Sequence, residues 1–152
     1  MTYLYDLISN EILIAAVCAW AVAQVSKTMI HLIITKQFVA ERLVGTGGMP
    51  SSHSATVCGL ATAVGFNCGL GSAYFAIAAI LAIVVMYDAL GVRRETGRQA
   101  IVINEMVEIF KKMGSEMSAQ ERLKEFVGHS PFQVLIGALL GIAVALGVCV
   151  IM

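Results

Sequence analysis

The sequence predicts an all-α fold: a polytopic membrane bundle of about four transmembrane helices with cytoplasmic interfacial helices. Three observations carry that prediction: the composition, the long uncharged runs and the placement of the basic residues. Hydrophobic residues make up 59% of the 152-residue chain and charged residues only 13%, against roughly 25% charged in soluble domains. Mean hydropathy is +0.85. No Asp, Glu, Lys or Arg occurs between Leu43 and Tyr87. A soluble bundle is the competing reading, but a chain this small cannot shield several all-round apolar helices from water. The length fits one domain over residues 1–152. Ten basic residues balance ten acidic ones, so charge gives no reason to expect a nucleic-acid partner.

The first span is expected over about Ile12–Ile34, with Lys27 and His31 in its second half. The second, about Ser54–Leu70, and the third, about Ser72–Leu90, share the hinge Gly69-Leu70-Gly71 and read as a tight hairpin. The fourth, about Phe132–Met152, carries no charge. A spanning helix needs about 20 mainly apolar residues, with a lower limit near 17. Between the third and fourth spans, Ile101, Ile103, Met106, Val107, Ile109, Phe110 and Met113 recur at helical spacing. Asn104, Glu105, Glu108, Lys111 and Lys112 oppose them. That helix should end at Gly114-Ser115, and a short charged helix should follow over Ala119–Val127. The pair reads as interfacial helices covering a site, or as a solvated connector.

Asp6 and Glu11 precede the first apolar run with no basic segment, which argues against a cleaved signal peptide. Cys18, Cys58, Cys68 and Cys149 lie in or beside apolar runs without Cys-x-x-Cys spacing. They read as small packing residues in preference to a disulfide or a metal site. The spacing Gly137-x-x-x-Gly141 permits close helix approach, either within one chain or across a homodimer.

Every Lys and Arg except Lys27 falls in the connection between the first two spans or between the last two. By the positive-inside rule both connections are cytoplasmic and both termini lie outside, in a multi-pass protein of the cell membrane. Residues far apart in sequence thereby converge on one membrane face. Gly47-Gly48-Met49-Pro50-Ser51-Ser52-His53-Ser54 opens the second span, and His129-Ser130-Pro131-Phe132-Gln133-Val134 opens the fourth.

Histidine serves as nucleophile or proton donor near neutral pH, and the arginine fork matches phosphate geometry. Ser51 and Ser52 stand where hydroxyls and unpaired helix N–H groups can face an anion. Pro50 suits a helix start, where its missing N–H costs nothing. Lys27 sits about two turns below the cytoplasmic end of its span. It either snorkels to the headgroups or points into the site. Asp88 either pairs with Arg93 or Arg94, orients a histidine or helps to bind a metal.

These residues carry a resemblance. Gly47 to Ala55, together with Asp88-Ala89-x-Gly91-Val92-Arg93-Arg94-x-x-Gly97-x-Gln99-Ala100 and Asn104, is similar to the signature of the divergent PAP2 family. That family is related to type 2 phosphatidic-acid phosphatases and vanadium-dependent haloperoxidases. With Lys27 and the His129 segment, the resemblance covers nearly the whole chain and implies a PAP2-like bundle. It also implies that His53, in Pro50-Ser51-Ser52-His53, is the leaving-group acid and that His129 is the nucleophile. Two positions depart from the enzymatic pattern. Gln133 stands where an aspartate orients the nucleophilic histidine, and Leu123 stands where an arginine binds phosphate, with Arg122 adjacent. A neutral amide can hold the ring by a hydrogen bond but cannot stabilise an imidazolium as a carboxylate does. Asp88 or Glu125 is the candidate replacement carboxylate, and Arg93-Arg94 the replacement clamp.

The function expected is a membrane lipid-phosphate phosphatase acting on a phosphorylated membrane lipid such as a phosphatidate, phosphatidylglycerol phosphate or polyprenyl phosphate. His129 forms a phosphohistidine and His53 protonates the leaving oxygen. Lys27, Ser51, Ser52, Arg93, Arg94 and Gln133 bind the substrate or hold the site. The route requires no cofactor, while Asp88 and Glu95 leave Mg²⁺ assistance open. The alternative is a non-catalytic phospholipid- or anion-binding, or lipid-transport, membrane protein, favoured by the two departures.

Overall fold

A computed structural model describes residues 2–38, 48–113, 123 and 129–152 and, within these, the side chains of all but 2, 92–94 and 111; the described residues form six helices. In chain order they are α1 (Thr2–Ile8), α2 (Glu11–Thr35), α3 (Ser52–Cys68), α4 (Ala73–Leu90), α5 (Val92–Lys112) and α6 (Pro131–Ile151). The boundaries follow local chemistry. Asn10, Ser51, Ser72 and Ser130 are N-caps whose side chains accept the N–H three residues on. Pro131 takes the first helical position of α6, where no intrahelical donor is needed. Gly69, at φ +83°, ends α3 and starts the short reversal into α4.

Four helices match the expected spans to within about two residues at each end. Among the described residues, three stretches are long and apolar enough to cross a membrane: Glu11–Thr35, Ala73–Phe110, which contains α4, and Pro131–Ile151. The remaining one, α3, has 17 residues, at the lower limit for a crossing. It nonetheless occupies the middle of the bundle, packing against α2, α4 and α6.

The packing of α3 against α2 and α6 follows a repeat of four residues. A Cβ on Gly59 would meet the Ala19 Cβ, while on α6 the Gly137 position abuts the Ser51 backbone and Gly141 abuts that of Ala55. Helices α2 and α3 are therefore antiparallel, and α3 and α6 parallel. Stepping by one turn on each helix gives successive layers: Ala15, Ala63 and Cys149; Ala19, Gly59 and Ala145; Ala23, Ala55 and Gly141; Lys27, Ser51 and Gly137. All of these residues are buried. The small-residue spacing on α6 is thus filled from within the chain, by the first turn of α3.

Large apolar side chains face the other way. Val17, Met29, Ile77, Ile80, Val84, Leu135, Leu139 and Val150 are exposed, whereas the buried positions of the spans are mostly Ala, Gly, Ser, Cys and Val. Small residues inside let the backbones close up, and bulky ones outside meet lipid chains.

Two expectations need correction. Helix α5 begins at Val92, directly after α4, well before the apolar repeat at Ile101. Its inward stripe is Gly97, Ala100 and Asn104, while Ile101, Met106, Ile109 and Phe110 point outward. Asn104 therefore belongs to the packed side, because its amide brackets another backbone: Nδ2 donates to the Leu123 carbonyl at 3.0 Å, and Oδ1 accepts the Leu123 N–H at 3.1 Å. Pro50 is not the first helical residue of α3; it precedes the N-cap Ser51. The expected helix over Ala119–Val127 lies outside the described residues, Leu123 excepted. Helix α1 had no counterpart in the sequence reading, since seven residues are too few to display a period.

Candidate functional site

The layer of Lys27, Ser51 and Gly137 ends the small-residue core, and there the interior becomes polar. Ser51 is fully buried at the N-cap of α3, its hydroxyl accepting the Ser54 N–H at 3.3 Å and the Ser54 Oγ–H at 3.0 Å. Its own N–H donates to the Gln133 carbonyl at 3.1 Å, which pins the start of α3 to the start of α6. Ser52 follows as the first residue of α3 and is also buried. Because Ser51 serves as cap and cross-link, its hydroxyl has a structural task besides any contact with a ligand. Ahead of it, Gly48 adopts φ +86°, a left-handed conformation that explains a glycine there.

His53 and His129 come together. Their ring centroids are 5.8 Å apart with an interplanar angle of 61°, an edge arrangement. His53 projects from the first turn of α3 with its Nδ1 buried. His129 precedes the α6 cap, is 3% exposed, and donates its backbone N–H to the Ala89 carbonyl at 3.2 Å. That bond ties His129 to the last turn of α4, where Asp88 is the neighbouring residue.

Gln133 orients the His129 ring. Its Oε1 accepts the Ser130 N–H at 3.1 Å, in a capping box closed by the Gln133 N–H donating to Ser130 Oγ at 3.3 Å. The backbone donor fixes which end of the amide is oxygen. The same Oε1 lies 3.3 Å from His129 Nδ1. An amide oxygen only accepts, so this contact selects the tautomer with the proton on Nδ1. In that tautomer Nε2 carries the lone pair, which is what a nucleophilic imidazole requires.

Lys27 is 2% exposed and turned into the bundle. Snorkelling is therefore the wrong description: the helix continues for two turns beyond it, to Thr35, and its ammonium donates to Gln24 Oε1. Gln24 and Thr28 are buried beside it, with Thr28 Oγ1 donating to the Gln24 carbonyl at 2.9 Å. The layered register puts Lys27 level with Ser51, one turn or less from His53. The sequence reading missed Gln24, Thr28 and Ser54. The signal available was their spacing from Lys27 and Ser51, which places them on the same inward faces.

The remaining candidates are less closely defined. Asp88 is partly buried on α4. Arg93 and Arg94 lie in the first turn of α5, directly after α4, but their side chains lie outside the described residues, as do Arg122 and Glu125. Glu95 is exposed and bridges Arg98 at 2.7 Å. Among the described residues no group of three or more His, Cys, Asp or Glu gathers in a way that would hold a metal ion.

Comparison with known proteins identifies the family. The chain is 41% identical over 150 residues to a Bacillus subtilis (strain 168) protein described as "Uncharacterized membrane protein YuiD", covering 93% of this chain and 95% of that one. No solved structure matches the chain. Residues 8–144, from the end of α1 through most of α6, match the family model described as "Divergent PAP2 family". The protein is a multi-pass membrane protein and belongs to the divergent PAP2 family.

Proposed function

We propose that this protein is a membrane lipid-phosphate phosphatase that works through a phosphohistidine. The observation that carries the reading is the pairing of buried His129 with partly buried His53, ring centroids 5.8 Å apart, with Gln133 Oε1 on His129 Nδ1. Nε2 of His129 attacks phosphorus and the bond from phosphorus to the lipid oxygen breaks. His53 gives that oxygen its proton. Water, deprotonated by His53, then attacks the phosphohistidine and releases orthophosphate. The net reaction is hydrolysis of a phosphate ester or anhydride. Lys27 stabilises the charged equatorial oxygens, with Ser52 and the first-turn N–H groups of α3 assisting. Arg93, Arg94 and Asp88 are assigned from the sequence to the phosphate clamp and to orientation of the histidines.

In this reading α3 is a fourth crossing, the basic connections and the site are cytoplasmic, and α5 rests its exposed apolar face in the lipid surface. An apolar groove of about 500 Å³ between α3, α4 and α6 suits an alkyl chain. It is lined by Cys58, Thr62, Phe66, Phe75, Ile142 and Leu146. On α3 it begins about one and a half turns from His53.

One observation favours a second reading, in which the pocket binds or moves an anionic lipid without turnover. The acceptor at His129 Nδ1 is a neutral amide, which fixes a tautomer but does not itself supply the countercharge that a carboxylate there would give an imidazolium. Purified protein offered phosphatidate, phosphatidylglycerol phosphate and polyprenyl phosphate distinguishes the two. Orthophosphate release from at least one, slowed about 10²-fold or more by His53→Asn, supports catalysis. Binding without release across the panel supports the second reading.

A further inference from the structure

Gly65 lies inside α3, where glycine is a poor helix former. Gly137 and Gly141 admit the backbone of a neighbouring helix, and Gly59 a close Ala19, but the atoms nearest a Cβ on Gly65 belong to two larger side chains. Leu70 Cδ2 would stand 3.0 Å away and the Phe75 ring 3.1 Å. All three residues line the apolar groove between α3, α4 and α6. We propose that this groove holds a single alkyl chain of the lipid phosphate and that Gly65 sets how long a chain fits. This rests on reading the polar end of the bundle as a phosphate site.

The groove exists because α4 and α6 both pack along α3 but meet each other little. Cys58, Ala61, Thr62 and Gly65 recur at helical spacing and turn one side of α3 into the gap. That floor is buried or partly buried, while Phe66, Ile142 and Leu146 along the rims are exposed. Among the described residues that line the groove none is charged. Its occupant is therefore apolar, and between membrane-spanning helices the apolar material at hand is a lipid chain. Continuity with the polar site selects the lipid. Helix α3 carries His53 in its first turn, Cys58 about 8 Å further along and Gly65 about 18 Å along. A chain whose phosphate sits at His53 runs down this floor and meets Gly65 only near its tip. One leaflet of hydrocarbon is about 15 Å deep, so Gly65 lies close to the level at which such a chain ends. A side chain added there would shorten the groove and leave the phosphate end untouched.

The test uses the full chain in detergent with octylphosphonate and hexadecylphosphonate, whose carbon–phosphorus bond the proposed hydrolysis cannot cleave. The octyl chain is too short to reach Gly65 from His53, and the hexadecyl chain spans the distance. Gly65→Leu is expected to weaken hexadecylphosphonate at least tenfold by calorimetry, the effect of losing about two buried methylene groups. Octylphosphonate should stay within about twofold of its wild-type affinity. Equal loss for both chains, or loss for neither, overturns the proposal. Photolabelling of the wild type with hexadecylphosphonate bearing a terminal diazirine decides the matter if Gly65→Leu does not fold. Label concentrated on Phe66, Leu70 or Phe75 is expected, and equal label on the exposed Val17 and Met29 of α2 overturns the proposal. Chain-length-dependent binding without turnover of hexadecyl phosphate sinks the phosphatase but leaves the groove standing. Turnover of hexadecyl phosphate that Gly65→Leu does not change sinks the groove and leaves the phosphatase. No binding of hexadecylphosphonate to the wild type sinks the proposal outright.

Discussion

Gln133 Oε1 lies 3.3 Å from His129 Nδ1 and accepts the Ser130 N–H at 3.1 Å. One side chain thus closes the cap of α6 and sets the tautomer of the histidine in front of it. Where the enzymatic relatives implied by the sequence pattern have an aspartate, this chain keeps the acceptor and gives up the charge.

Substitution at position 133 separates those two tasks. Gln133→Met removes the acceptor and should lower turnover about 10- to 100-fold. It should also cost about 1 kcal/mol of stability from the broken cap. Gln133→Glu keeps both contacts and adds a countercharge for the imidazolium, so turnover should rise. Steady-state rates on a lipid phosphate check this, and Gln133→Met turning over at the wild-type rate would remove Gln133 from the mechanism.

The contact between α3 and α6 depends on the absence of a side chain at two positions. A Cβ on Gly141 would strike the Ala55 carbonyl oxygen, and one on Gly137 the Ser51 carbonyl oxygen, both backbone atoms. Gly141→Leu should therefore destabilise the fold by about 1–3 kcal/mol or more and separate His53 from His129. Among the described residues, no atom apart from the neighbouring residues and its own helix backbone lies within 4 Å of a Cβ on Gly147. Gly147→Ala should be neutral or stabilising by up to about 1 kcal/mol. Thermal unfolding in detergent measures both, and equal melting points would refute the register.

Orientation in the membrane is open to labelling. Ser51 and His129 are buried, so the exposed Gln37 is the better reporter of the proposed cytoplasmic face, and Gly71 of the opposite one. In a background without native cysteines, Gly71→Cys should react with an impermeant maleimide in intact cells. Gln37→Cys should react only after the membrane is opened. The reverse pattern would invert the topology.

Metal dependence is tested by chelation. Since every step is assigned to side chains, EDTA should leave turnover within about twofold. An activity lost to EDTA and restored by Mg²⁺ would bring Asp88 into a metal-assisted route.

Much of this architecture was legible beforehand because lipid imposes a simple rule. Uncharged runs near 20 residues must become helices, and serines ahead of them make caps, as Ser51, Ser72 and Ser130 do. The two histidines could be paired because each opens a span on the same basic side. Less legible was how the polar interior is wired. Gln24 is one polar residue in an apolar run, and only its placement one turn before Lys27 on the inward face gives it meaning. The role of Gln133 was half visible: the sequence showed a missing carboxylate, while the capping box that holds the amide depends on backbone geometry. Helix α5 misled because its apolar repeat marks the exposed side, and the packed side is a stripe of Gly97, Ala100 and Asn104.

Trapping the covalent intermediate tests the central claim most directly. Protein mixed with a ³²P-labelled lipid phosphate and quenched in alkali should retain label that is released by acid, as phosphohistidine is. His129→Ala should show no such label and lose turnover by far more than the ~1.4 kcal/mol that a factor of ten represents, with lipid binding largely kept. Turnover within tenfold of wild type in His129→Ala would contradict the account, and His129 would then be a buried residue at the start of a helix and nothing more.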